Sequence, residues 1–155
     1  YEVWNGSAWS STISSAQPIF TWTNRVSSSA ITYNPVLNKY IMWNERAHCA
    51  ADGNVWGYGF DFYVMESDSL TGPYKLIQYW EPFGVQGYYP NMPSKFISAD
   101  GKGAWLWYGS NFAPRDQSID PAGLSYSWQD PFGAGYHMVE QEVRFLTPAE
   151  MAAVP

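Results

Sequence analysis

Phe60-Asp61-Phe62-Tyr63-Val64-Met65-Glu66-Ser67-Asp68-Ser69-Leu70-Thr71-Gly72-Pro73-Tyr74-Lys75-Leu76-Ile77 reads as an aromatic strand, a turn and a second strand that opens on an aromatic residue. Gly72 tolerates positive φ and Pro73 presets its own, so the pair fixes a chain reversal. Aromatic and β-branched residues on both sides suit a pleated, half-buried surface. Asp68 is expected to cap the turn through its side chain. Asp61 lies between Phe60 and Phe62 and faces the opposite way, which predicts a solvent-facing position.

The rest of the composition agrees with a β domain. The chain has 155 residues, enough for one domain with a core. It carries 9 Trp, 12 Tyr and 8 Phe beside 13 Gly and 11 Pro, and only 14% of its residues are charged. Such a balance favours strands joined by many turns over helices or disorder. A net charge of -6 without any basic run argues against a nucleic-acid partner. No apolar span is long enough to cross a membrane as a helix. Cys49 is the single cysteine, so neither an intrachain disulfide nor a cysteine-based metal site is expected. His48 and His137 fall in different parts of the chain with no converging carboxylates, and no metal or other cofactor is predicted. Low charge with abundant Trp, Tyr, Ser and Asn suits a secreted, extracellular protein. Asn5-Gly6-Ser7 would be a glycosylation site in a eukaryotic secretory route. Tyr1 opens the sequence with no signal peptide before it, so the chain reads as a processed product or a fragment of a larger β protein.

Two blocks share one layout. In the first, Ser29–Tyr33 is a strand, residues 34–39 a turn and Tyr40–Asn44 the return; in the second, Ser94–Ser98 is the strand, residues 99–103 the turn and Ala104–Tyr108 the return. Trp43 and Trp107 hold matching places, a period of about 64 residues, with the excess over a usual blade in the loop Glu45–Tyr58. The blocks continue outward through Gly59–Glu66 and Tyr74–Trp80, and through Tyr136–Leu146. This pattern predicts an all-β, partial β-propeller of four-stranded antiparallel blades, about two and a half of them. Residues 1–20 form the outer edge of a preceding blade, 21–82 one blade and 83–146 the last, which has no clear fourth strand. Residues 147–155 are a tail whose Thr147-Pro148 start suits a short capped helix. Such a segment leaves sheet edges open, so the remaining blades are expected on another chain or in a longer protein. A self-contained all-β sandwich is the competing architecture.

Three segments carry a family resemblance: Ile31–Pro35 through Lys39–Trp43, then Ser67–Tyr74, then Pro93–Ser98 through Trp105–Tyr108. In order and spacing they resemble consecutive C-terminal blades of the glycoside-hydrolase-like five-bladed β-propellers, the arabinanase and β-xylosidase-like group. The likeness spans most of residues 29–112. It implies a carbohydrate ligand and a site at the channel mouth, beside the innermost strands. That placement puts Arg25 and Ser27–Ser29 near one blade's channel end, and Tyr88, Tyr89, Asn91 and Lys95 near the next. In the resembling hydrolases the other acidic residues fall in earlier blades, outside the stretch matched here.

Glycoside hydrolysis uses two carboxyl groups, one raised in pKa to act as an acid. Glu45 ends the apolar strand Ile41–Asn44 and is the candidate: an apolar wall would raise its pKa and Arg46 would lower it. The plain alternative pairs Glu45 with Arg46 or another neighbour. His48 is the second catalytic candidate, as an acid/base or a hydrogen-bonding group. Trp43, Trp56, Tyr58, Tyr88, Tyr89 and Trp107 offer aromatic surface for sugar C–H faces, with Trp56 and Tyr58 favoured as platforms. Arg46 and Lys95 suit a substrate carboxylate. The residues expected to bind substrate are Arg25, Arg46, Trp56, Tyr58, Tyr89, Asn91 and Lys95. The functional expectation is a glycoside hydrolase-like protein acting on a plant, fungal or microbial poly- or oligosaccharide. A non-catalytic sugar-binding propeller and a polysaccharide lyase are the alternatives; in the lyase, His48 or Tyr89 would abstract the proton.

Overall fold

The computed structural model describes residues 1–23, 25–47, 60–81, 83, 87–111 and 136–154. His48, Trp56 and Tyr58 lie outside these residues. The protein is all-β, with antiparallel sheets of two, four and three strands. β1 (Val3–Trp4) and β2 (Trp9–Ser10) form a minimal hairpin. Its turn is organised by Asn5, whose Oδ1 accepts from the backbone of Ser7 and Ala8 at 3.0 and 2.9 Å.

The four-stranded sheet is a meander of β3 (Ser29–Asn34), β4 (Lys39–Ala47), β5 (Phe60–Ser67) and β6 (Lys75–Trp80). Between β3 and β4, Asn34 Oδ1 accepts from Val36 and Leu37 N–H at 3.2 and 3.1 Å, which closes the Asn-Pro turn. Between β5 and β6 the expected reversal is present, with Gly72 at φ +87°. The turn's polar contacts differ from expectation. Ser67 Oγ accepts from Ser69 N–H at 3.1 Å, whereas Asp68 reaches across to an ion pair with Lys39 at 2.6 Å. The serine hydroxyl already fills the local acceptor role, so Asp68 is left to pair with the cation on the neighbouring strand.

The second sheet orders β7 (Tyr88–Asn91), β8 (Gly103–Asn111) and β9 (Tyr136–Arg144). Here the expected strand Ser94–Ser98 is replaced by a 3-10 turn at Ser94–Phe96, and the strand preceding the return is β7. Pro90 and Pro93 bracket the error, because the ladder ends at Asn91 and Pro93 starts the turn. After β9, the helix α1 (Pro148–Ala152) starts with a full capping box between Thr147 and Glu150. Lys102 anchors it through a 2.6 Å ion pair to Glu150.

Pleat alternation decides what each strand buries. On β4, Ile41 and Trp43 face the second sheet and join Phe62, Val64, Met92, Ala104, Leu106 and Tyr108 in one core. Trp43 is therefore core rather than sugar-facing surface, stacked on Trp80 at 6.2 Å. The opposite face of the first sheet is covered too: Met42, Tyr63 and Met65 pack against Ile19 and Phe20 from the segment after β2. Asp61 lies on that covered face and is fully buried, not solvent-facing. A strand buried on both faces offers no solvent side, whichever way Asp61 points.

Polar side chains reinforce the seam between the sheets. Thr32 Oγ1 donates to Met92 O, and Asn34 Nδ2 donates to Gly101 O at 2.8 Å. Each is buried and satisfied by backbone of the second sheet, as low-dielectric burial requires.

Candidate functional site

One end of the two sheets gathers the start of β3, the end of β4, the starts of β5 and β7 and the ends of β6 and β8. β4 and β8 both finish here, and β5 and β9 both begin here. The tight turns at residues 35–38 and 68–74 lie at the other. Candidate chemistry collects on the former, on both faces of the first sheet.

Glu45 occupies the face toward the second sheet, in register with Phe62. Its backbone continues the β3–β4 ladder: Ser27 N–H donates to Glu45 O at 2.7 Å and Glu45 N–H to Ser28 O at 3.1 Å. The side chain is 2% exposed. Ser28 Oγ donates to Oε1 at 2.8 Å, and the backbone N–H of Tyr89 donates to Oε2. Burial pushes the carboxyl up to about 7, against the lowering effect of those two hydrogen bonds. A carboxyl group that titrates near neutrality is matched to proton transfer.

Tyr89 presents that N–H from an unusual backbone. Its φ is +52°, in the left-handed region that non-glycine residues rarely adopt, at a register shift in β7. The ring stands 67% exposed beside Tyr88, centroids 5.0 Å apart, and Tyr88 in turn lies on Phe60 at 5.6 Å. A buried carboxyl thus sits beneath exposed aromatic surface.

Arg46 does not touch this carboxyl. As the next residue of β4 it projects to the opposite face, where its Nε lies 3.4 Å from Asp61 Oδ2. The expected lowering of Glu45 by Arg46 is therefore absent, and so is the simple Glu45–Arg46 pair. Around Asp61 a second polar group forms. Tyr79 OH donates its one hydrogen to Glu81 Oε2 at 2.5 Å and lies 3.4 Å from Asp61 Oδ2. Tyr79 stacks on Tyr63 at 4.8 Å, and Arg25 Nη1 donates to Tyr63 OH at 3.2 Å. Burial, then the two carboxylates, raises the Tyr79 phenol well above its ordinary range.

Of the sequence candidates, Glu45 and Tyr89 are brought together, with Ser28 as third member. Arg25 and Arg46 meet on the other face through Tyr63, Tyr79 and Asp61. Asn91 is exposed two residues beyond Tyr89, opposite Trp107 in the ladder. Lys95 sits on the 3-10 turn toward the opposite end, its Nζ 4.7 Å from the Phe96 ring centroid. Tyr63, Tyr79 and Glu81 carry no role in the sequence reading, and Asp61 was expected to face solvent. The signal was the unbroken run Phe62–Met65, apolar on both faces, which marks two-sided burial and makes any intervening acid a buried one.

Comparison with known proteins gives no match. Neither a family model nor a curated protein nor a solved structure matches this chain. Among the described residues no group of three or more His, Cys, Asp or Glu is placed to hold a metal ion. No helix among them is long and apolar enough to cross a membrane.

Proposed function

We propose that the chain is part of a carbohydrate-active β-propeller of glycoside-hydrolase type, with Glu45 as its proton-transferring acid. One observation carries this reading. A carboxyl group raised to about 7 is held by two fixed donors at the sheet end where β4 and β8 finish, beside the half-buried Tyr88 and the exposed Tyr89. The fold supports it. Two antiparallel sheets, a four-stranded meander packed face to face on three strands, are what two neighbouring blades would present, as the halves of a sandwich also would. The remaining blades, from another chain or a longer polypeptide, would supply the second carboxyl group that hydrolysis needs. Ser28 and the Tyr89 amide hold the Glu45 carboxylate after it has given up its proton, so the acid is oriented in both states. The aromatic pair would meet the apolar face of a sugar ring, and a neutral sugar suits the acidic net charge. Action on extracellular polysaccharide fits the composition that reads as secreted.

A second reading, sugar binding without catalysis, is favoured by one fact: both Glu45 oxygens are already engaged and the side chain is 2% exposed. A lyase has less support, because Arg46 is paired with Asp61 and Lys95 stands toward the other end of the sheet, leaving neither beside Glu45 and Tyr89. The experiment is a panel of plant, fungal and microbial polysaccharides assayed for reducing ends, with wild type and Glu45→Gln. Hydrolysis is expected for wild type and loss of turnover with retained sugar binding for the variant. Unchanged turnover removes the acid role, ultraviolet-absorbing unsaturated product points to a lyase, and binding without turnover in wild type selects the second reading.

A further inference from the structure

Glu45 is enclosed, which bears on how its proton could reach a substrate. The side chain is 2% exposed, and each carboxyl oxygen already has a donor. Those two donors differ in kind. Oε2 faces the backbone N–H of Tyr89, which can donate but never accept. A proton on Oε2 would confront that N–H, so the proton of the neutral acid belongs on Oε1. Among the described residues, the hydrogen-bond partner of Oε1 is Ser28 Oγ at 2.8 Å.

A hydroxyl can reverse its role, donating to a carboxylate and accepting from a carboxylic acid. With Glu45 neutral, Ser28 Oγ accepts from Oε1–H and its own hydrogen is released to point elsewhere. Ser28 is half-buried and stands between the exposed Ser27 and Ser29, so that hydrogen has a way to the surface. The backbone fixes the hydroxyl in this place. Ser27 N–H donates to Glu45 O while Glu45 N–H donates to Ser28 O, so two residues meet one, the pairing of a β-bulge. Bulges re-aim side chains, and here Ser28 is turned onto the Glu45 carboxyl. The next residue, Ser29, instead donates to Asn44 on the other face of the sheet.

We propose that Ser28 is the proton relay of Glu45, passing the proton of the buried acid to the departing glycosidic oxygen. In one step Glu45 Oε1 gives its proton to Ser28 Oγ, and Ser28 Oγ–H gives its own to the leaving oxygen. That oxygen keeps the electron pair of the broken C–O bond and departs as an alcohol, and the anomeric carbon is taken by water or by the second carboxyl group. Ser28 is neutral before and after, and Glu45 ends as the carboxylate. Ser28 then donates to Oε1, as the structure shows it. The relay to a sugar rests on the acid reading of Glu45 above; the same hydroxyl exchanges the Glu45 proton with water whether or not a substrate is present.

Two measurements test it, the first without substrate. Temperature-jump relaxation of the Glu45 carboxyl infrared band reads how fast the proton leaves. Each protein is measured at its own midpoint, as the difference from its Glu45→Gln counterpart. Ser28→Ala is expected to relax about tenfold more slowly, as for one hydrogen bond lost along the path, and Ser28→Thr at the wild-type rate. The relay is overturned if Ser28→Ala relaxes as wild type, or if Ser28→Thr is as slow as Ser28→Ala, which would leave Ser28 a packing role only. The second measurement is turnover by the full chain. Ser28→Ala should lower kcat about a hundredfold on a cleaved glycan with KM little changed, and far less on an aryl glycoside of the same sugar, whose phenolate leaves without a proton. Equal losses on the two substrates overturn the relay. So does a Ser28→Ala/Glu45→Gln double variant whose loss is the sum of the single ones, because groups on one path do not add. Failure of the acid reading looks different: wild type then cleaves no glycan, while the relaxation still decides whether Ser28 carries the proton.

Discussion

Glu45 links the chemistry of one residue to the stability of the whole. A carboxyl group raised from 4.5 to about 7 is held more tightly protonated in the fold than in the unfolded chain. Its contribution is therefore most favourable below the unfolded value, declines as the pH rises from about 4.5 to about 7, and is flat above that. The shift corresponds to about 3 kcal/mol at most. Glutamine fits the same site without this dependence: its amide oxygen accepts from Tyr89 N–H and its amide hydrogen donates to the Ser28 hydroxyl. Glu45→Gln should gain stability relative to wild type as pH is raised through that window, measured as the difference between two urea-denaturation profiles. The lowered carboxyls of Asp68, Asp100 and Glu150 act in the opposite sense at lower pH and cancel in this difference. A constant difference from pH 4 to 8 would mean that Glu45 titrates normally and is unsuited to the role given it. Tyr89, left-handed and non-glycine, adds local strain of about 1 kcal/mol at the same place. A buried ionisable group and backbone strain concentrated at one point are what a site retained for function, rather than for stability, is expected to show.

At the scale of elements, the turns lock the two sheets together. Gly101 has φ +74°, and a Cβ there would meet Val36 Cβ at 2.7 Å, backbone to side-chain stem with no flexible end to give way. Its carbonyl also receives Asn34 Nδ2 across the seam. Gly6 shares the positive φ, yet a Cβ there would meet only the Gln17 side chain at 3.6 Å. Gly101→Ala should thus cost about 2–4 kcal/mol, strain plus clash, against about 1 kcal/mol for Gly6→Ala. Equal losses in thermal or urea unfolding would show that the sheet turns are not in close contact. The hairpin of Phe60–Ile77 and the pair of strands around the Asn34-Pro35 turn were legible in the sequence because turn residues and alternation agree there. Neither Ser94–Phe96 nor Asp61 was. In the first case, a β-rich segment follows two prolines and the backbone curls into a 3-10 turn; in the second, the burial comes with partners on the two flanking strands, Arg46 of β4 and Tyr79 of β6, fifteen and eighteen residues away in sequence. Likewise Glu45 stood out as an acid ending an apolar strand, but its partner Tyr89 N–H belongs to the other sheet. No local pattern announces such a contact.

Across the whole molecule, a single apolar core determines whether the sheets fold separately or as one. Ile41, Trp43, Phe62 and Val64 come from the first sheet, and Met92, Ala104, Leu106 and Tyr108 from the second. Phe62 packs on Phe83 at 4.3 Å and edge-on to Tyr108 at 6.1 Å, so aromatic contacts bridge the seam directly. Because the buried side chains of β8 share one cluster with those of β4 and β5, neither sheet has a complete core alone. Leu106 is wholly buried in this shared layer. Removing its isobutyl group in Leu106→Ala should cost about 2–5 kcal/mol, transfer loss plus residual cavity. The loss should also appear far from the mutation: amide protons of β4 and β5 should lose hydrogen-exchange protection by the same free energy as those of β8. Were β4 and β5 to keep wild-type protection while β8 lost its own, the sheets would be separate cooperative units. Glu45 and Tyr89 would then be held together only by their own hydrogen bond, because a rigid seam is what keeps a donor on β7 at a fixed place over an acid on β4.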